Sequence, residues 1–320
     1  MPALLGNLDC EARWAGIALS EAVRRRISLY AALFVACAPD RAGDGAPHEL
    51  WVPARVDPAR LLAHPRWTPP ILRTTEPPPR AFELAWADPA ARSANDRSRT
   101  LAIAQALGVA LPGACVVASL AELDVHVAGF ANRPWVCKAR WTAAGRDRAH
   151  GTGAVIAGEL RVRLGRMFER FGPLVFEPWL DRVADLGVCG EIEPSGAVTI
   201  AAPHRLRTDP RGGFLGIELA PVVDPALAEP LHDTARAAAA MLAEQTGYRG
   251  AFAIDAFVYR DSGAQHLHPL CELNARHTFG WIARALARRL GIQRLGFDAP
   301  PPGATVLIAP GDDRVTAWCA

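Results

Sequence analysis

Three oxygen-bearing side chains and one guanidinium stand close together late in the sequence. Asp255 interrupts an otherwise apolar run at 251–259 (AFAIDAFVY), and Glu272, Asn274 and Arg276 follow at intervals of two where the next run, 266–273 (HLHPLCEL), ends. A lone carboxylate in an apolar strand costs several kcal/mol unless a cation or donor offsets it. Residues two apart on a strand share a face, and a hairpin closed over Arg260, Asp261, Ser262 and Gly263 would carry Asp255 to that face. Two carboxylates and an amide oxygen make a hard, oxygen-only site suited to Mg²⁺, or Mn²⁺, with phosphates and water completing it. The same residues would equally make a salt-bridged hairpin in which Arg276 neutralises Glu272. Spacing alone does not choose between the two.

Composition marks a second position. Of 35 basic residues in 320, only Lys138 is Lys, which leaves 34 Arg. A compact ammonium is a different instrument from a planar guanidinium, so the surviving Lys is where a point charge is needed. Its replacement is expected to cost activity and leave the fold intact. Net charge is only +2, which gives no field for nucleic acid or anionic membranes. Seven Cys without a C-x-x-C pair argue against a disulfide framework or zinc knuckle and fit a reducing, cytoplasmic setting. The run after Arg24-Arg25-Arg26, residues 27–38, is too short to span a bilayer and reads as a helix end feeding a buried strand.

These residues need elements to hold them. Residues 1–92 alternate short apolar runs with Pro-rich breaks and read as a small α/β unit. Helical spacing covers 93–107, with Ser93, Asn95 and Asp96 as capping candidates. Strands follow at 114–118, 135–140 and 174–177, and helices at 119–127 and 158–171. The segment 186–200 reads as a hairpin. Residues 203–219 (PHRLRTDPRGGFLGIEL) have the composition of a polar loop. An Ala-rich helix over 225–246 and a last helix at 279–290 complete the pattern.

Taken in order, these features resemble the ATP-grasp superfamily over about residues 93–290. E-x-N-x-R at a strand end, behind Asp255, is similar to its metal-binding end. Lys138 ends the strand WVCKAR, where family members place a Lys on the α- and β-phosphates. Trp141-Thr142-Ala143-Ala144-Gly145-Arg146 resembles the phosphate-covering loop, and Leu174-Val175-Phe176-Glu177-Pro178-Trp179-Leu180 the hinge.

The resemblance implies an α/β (α+β) chain: a Rossmann-like pre-ATP-grasp domain at 1–92, then two α+β subdomains, 93–178 and 179–320, sandwiching ATP. It implies that Lys138, Gly145 and Arg146 meet phosphate, and that Arg97 replaces the second Lys usual there. Glu177, Trp179 and Leu180 would meet adenine and Asp185 the ribose. Asp255, Glu272 and Asn274 would hold Mg²⁺, with Arg276 catalytic. His204, Arg205 and Arg207 are candidates for holding a substrate carboxylate or acyl-phosphate. The implied reaction is ATP-dependent joining of a small-molecule or peptide carboxylate to an amine through an acyl-phosphate. A homodimer is compatible with it, and neither nucleic acid nor membrane is implied as partner. A small-molecule kinase and a nucleotide-binding protein without turnover are the competing readings.

Overall fold

The structure is a computed structural model that describes residues 4–6, 8–38, 47–75, 82–83, 90–141, 147–209 and 212–320. Three sheets divide the work. The first is parallel and joins β1 (Leu4–Leu5), β2 (Glu49–Trp51), β3 (Ile71–Arg73) and β4 (Phe82–Glu83) in the order β3-β2-β1-β4. Helices α1 (Cys10–Trp14) and α2 (Glu21–Phe34) lie between β1 and β2 in the chain.

Helix α2 corrects the expectation of a strand after the arginines. Ser20 caps it by accepting from Val23 N, and Glu21 pairs with Arg24 and Arg25 one turn on. The apolar run then continues the same helix, followed by a 3₁₀ turn at Val35–Cys37. Between Ile27 and Val35 it has Ser, Leu, Tyr, Ala and Phe but no β-branched residue, so nothing in it disfavours helix. Its buried residues, Leu29 and Ala31 to Phe34, belong to the main core.

Helices α3 (Ala91–Ala94) and α4 (Arg97–Ala106) replace the continuous helix expected from 93. The break falls at Asn95 and Asp96 because both side chains are engaged: Asp96 caps α4 through Ser98 N at 2.9 Å, and Asn95 is turned toward Ala275.

The second sheet is antiparallel and small. It joins β5 (Cys115–Val117), β6 (Pro134–Lys138), β7 (Arg148–Thr152) and β8 (Leu174–Pro178) in the order β5-β8-β6-β7, with α5 (Leu120–Val127) and α6 (Gly158–Phe171) packed on it. Strand alternation sorts its faces. Trp135, Cys137 and Phe176 point into a core with Leu123, Leu164 and Met167. Gly151 lies opposite Trp135 for want of room, since a Cβ there would fall 2.1 Å from the indole. The opposite face carries Val136, Lys138, Val175 and Glu177.

The third sheet runs β14-β13-β9-β11-β12-β15-β17-β16, with β10 paired to β9. Its strands are β9 (Asp181–Ile192), β10 (Val198–Ile200), β11 (His204–Thr208), β12 (Phe214–Glu218), β13 (Gly250–Asp261), β14 (Ala264–Asn274), β15 (Arg294–Gly296), β16 (Thr305–Ile308) and β17 (Ala317–Cys319). Residues 203–219 are therefore a hairpin rather than a loop, turned where Gly213 N donates to Asp209 Oδ1 at 2.7 Å. Helices α7 (Pro225–Thr246) and α8 (Phe279–Leu290) pack on this sheet. Asp224 caps α7 and Gly247, left-handed at φ 74°, ends it. Among the described residues no helix is long and apolar enough to cross a membrane.

Candidate functional site

Strand register creates the central row. Asp255 on β13 stands opposite Glu272 on β14 and, on its other side, opposite Gly187 of β9; Gly187 in turn faces His204 of β11. Directly opposed residues share a face, so Glu272, Asp255 and His204 line one surface. His204 fills the space that glycine leaves. A Cβ on Gly187 would fall 2.6 Å from its Nε2, and one on Gly280 of α8 2.7 Å from it.

Burial of Asp255, with Glu272 beside it, pushes its carboxyl well above the usual range. Asn274 Nδ2 donates to Asp255 Oδ2 at 3.3 Å, and Arg276 donates to Asn274 Oδ1 at 2.8 Å. Among the described residues no group of three His, Cys, Asp or Glu forms a metal cluster. Two opposed carboxylates whose joint ionisation is disfavoured, next to an amide, still fit one hard divalent cation, because that charge would offset their repulsion.

The cations stand on the small sheet and at the start of α4. Lys138 and Glu177 lie diagonally on one face of β6 and β8 and form an ion pair, their side chains only 14% and 13% exposed. Burial alone would raise the Glu177 pKa and lower that of Lys138. Each partner's charge outweighs this, so Glu177 is held below and Lys138 above its ordinary value. Arg97 donates to Glu272 Oε1 at 3.0 Å and to Ala139 O, the residue after Lys138, at 2.8 Å. One guanidinium thus ties the end of β6 to the carboxylate pair.

Other predicted residues are placed as follows. Asp185 accepts from Arg182 at 3.0 Å and Thr208 Oγ1 at 2.9 Å. Trp179 N donates to Pro134 O at 2.9 Å, and its ring meets His150 edge-on with Arg148 and Arg182 over it. Leu180 is half-buried between β8 and β9. Gly145 and Arg146 lie outside the described residues. Arg205 and Arg207 alternate with His204, so the structure does not bring them to the Asp255 face. Arg207 instead pairs with Asp298 at 2.7 Å, over the Trp318 ring.

Sequence reasoning missed what Asn95 and Asp96 do. Asn95 is buried; its Oδ1 accepts from Ala275 N at 2.9 Å and its Nδ2 donates to Ala275 O at 3.3 Å. It therefore fixes the residue between Asn274 and Arg276. Asp96 takes both bonds of Arg140, at the far end of WVCKAR. Three consecutive polar residues ahead of an apolar helix were the available signal, and capping already accounted for them.

His204 also carries a pH dependence. Burial, with Arg284 adding to it, pushes its imidazole down to about 3, and burial takes His268 to about 4. Both are neutral in the folded chain, while in the unfolded chain they gain protons as pH drops through the ordinary 6.5. Their contribution to stability is thus complete above that pH and declines below it. Unfolding free energy from urea titrations is expected to fall by about 1.4 kcal/mol per pH unit for each histidine. His204→Gln should remove one histidine's share of that slope; an unchanged slope would show His204 ionised or exposed.

No protein-family model and no curated protein matches the chain. Solved structures do. The biotin carboxylase domain dimer of the Hydrogenobacter thermophilus 2-oxoglutarate carboxylase, solved with MgADP, ADP and bicarbonate, matches at TM-score 0.53 and 14% identity, over 75% of this chain and 64% of that one. The biotin carboxylase–β,γ-ATP complex of Campylobacter jejuni matches at TM-score 0.50 and 17% identity, over 62% and 44% respectively. The chain therefore spans less than two thirds of the first protein and less than half of the second. With the sheets and their order, these likenesses define the class: the chain has the ATP-grasp fold.

Proposed function

We propose that the chain is an ATP-dependent ligase that joins a carboxylate to an amine through an acyl-phosphate. The carrying observation is that Arg97 draws two charge systems together, the Lys138–Glu177 pair on the small sheet and the Asp255–Glu272 pair on the large one. Phosphoryl transfer asks an enzyme for in-line positioning and for cations where negative charge develops.

Lys138 would meet the nucleotide's phosphates from the small sheet, with Glu177, Trp179 and Leu180 toward the base and Asp185 toward the ribose. Asp255, Glu272 and Asn274 would hold Mg²⁺ or Mn²⁺, which supplies positive charge to the phosphates. A carboxylate oxygen attacks the γ-phosphorus and the bond to ADP breaks. The amine nitrogen then attacks the acyl carbon, phosphate leaves with the bonding electrons, and the amine proton passes to solvent. Arg276 would stabilise the oxyanion that develops at that carbon. The biotin carboxylase likeness, and its bicarbonate complex in particular, supports a small carboxylate-like substrate and leaves a homodimer open. The small net charge supports neither nucleic acid nor membrane as a partner.

Hydroxylamine tests the reading, because it traps an acyl-phosphate as a hydroxamate. Incubation with ATP, Mg²⁺ and a panel of carboxylates should yield ADP and hydroxamate in equal amounts. ADP with a phosphorylated hydroxyl and no hydroxamate would make the protein a kinase. Nucleotide binding without turnover across the panel would make it a regulatory protein.

A further inference from the structure

Four aromatic rings from four separate elements meet at the start of α8, three residues beyond Arg276. Tyr30 comes from α2, Phe214 from β12, Phe279 from the first turn of α8 and Phe297 from the segment after β15. Phe279 and Phe297 have ring centroids 4.6 Å apart, Tyr30 meets both edge-on at 5.7 and 5.3 Å, and Phe214 stacks on Phe279 at 5.6 Å with 18° between planes. A cluster of this kind ordinarily closes on itself in a core. Buried Phe34 packs on Phe279 at 5.7 Å and anchors the cluster in the core, while Tyr30, Phe279 and Phe297 are half-buried and Phe214 is 40% exposed.

Its position ties it to the site. Phe279 is three residues beyond Arg276 and adjoins Gly280, the glycine packed on His204 in the Asp255 row. Phe214 stands opposite Thr208, whose hydroxyl donates to Asp185 at 2.9 Å. The wall therefore lies on the face of the large sheet that carries Asp255.

Resting on the ligase reading, we infer that the carboxylate substrate carries an aromatic or similarly broad apolar side chain, which packs on the wall of Tyr30, Phe214, Phe279 and Phe297 while its carboxylate faces Arg276. The charge complement is local, because Arg276 precedes the Phe279 ring by three residues at the start of α8. The exposed ring of Phe214 offers the stacking or edge contact that a further ring prefers.

The test compares two acids that differ only in a ring, 3-phenylpropanoate and propanoate, with the full chain, ATP, Mg²⁺ and hydroxylamine. Expected is a kcat/KM about tenfold or more higher for the ring-bearing acid, with the ratio lost in Phe214→Ala and partly kept in Phe214→Leu. The KM for ATP should stay unchanged in both variants. Equal use of the two acids, or a ratio indifferent to Phe214→Ala, overturns the inference and leaves the ligase reading standing. Melting temperature with each acid and MgADP supplies the second arm. A shift only with 3-phenylpropanoate, without hydroxamate, upholds the aromatic wall and overturns the ligase. No difference between the acids in either assay overturns the wall.

Discussion

Lys138→Met is expected to abolish ATP-dependent hydroxamate formation, by about 10³-fold or more, and also to destabilise the fold by about 3–5 kcal/mol. The second effect departs from what the sequence implies, where a lone Lys at a strand end looks dispensable to folding. In the structure its partner decides the matter. Glu177 is largely enclosed with Lys138, and removing the ammonium leaves a largely enclosed carboxylate without its counter-charge. The two effects separate in Lys138→Met/Glu177→Gln, which should recover most of the stability and none of the turnover. Lys138→Arg should keep the ion pair but place a planar fork where a point charge is wanted, so activity falls while stability holds.

The pH dependence follows from the pair. Glu177 sits below its ordinary 4.5, so its share of the stability is present above that pH and is lost as pH falls through the depressed value. Lys138 sits above 10.5, so its share is present below that pH and is lost as pH rises through the elevated one. The penalty for Lys138→Met should therefore be largest near neutrality and shrink in acid, where the orphaned carboxyl can take a proton. Urea midpoints across pH measure this. A Lys138→Met protein with the wild-type midpoint at pH 7 would show the pair to be energetically idle, and one with wild-type turnover would remove Lys138 from the mechanism.

The second large effect is opposite in sign for stability. Asp255→Asn should cost about 10³-fold or more in turnover and make the ligand-free protein more stable at pH 7 to 8. Burial and Glu272 raise the Asp255 pKa, so the folded chain holds the proton more tightly than the unfolded one. Its ionisation therefore weakens the fold progressively as pH rises from the ordinary 3.8 through the raised value. Asn removes that cost with almost no change of shape. The stability advantage should fade toward pH 4. It should also reverse when Mg²⁺ is added, because only the wild type gains stability by binding it. Calorimetric melting of both proteins, with and without Mg²⁺, decides. An Asp255→Asn protein less stable than wild type without the metal would mean that the carboxylate is satisfied by the chain itself.

Much of the fold could be read locally. Helix α7 begins and ends at residues whose chemistry fixes its ends, Asp224 and Gly247. The β13–β14 hairpin follows from alternation around Ser262 and Gly263, where positive φ turns the chain. That hairpin puts Asp255 on the face of Glu272, and a register shift between Asp255 and Phe257 sets the two directly opposite. What escaped depends on contacts far apart in sequence. The run after Arg26 could be strand or helix by hydrophobicity, and its place in the core decided for helix. Arg205 and Arg207 were grouped with His204 by composition, yet one peptide's difference in register sends them to the other face. Asn95 looked like a cap, and its partner stands 180 residues away.

Asn95, Asp96 and Arg97 hold, one residue each, the backbone of Ala275, the side chain of Arg140, and both Glu272 and the carbonyl of Ala139. Three neighbouring residues thus serve as a shared fulcrum for the small and large sheets. Rocking of the small sheet about this point would change the gap between Lys138 and Glu272 less than the gap at the far rim. Slow amide exchange should mark the pivot, at Ala275 N–H above all, while the outer strands β5 and β7 exchange sooner.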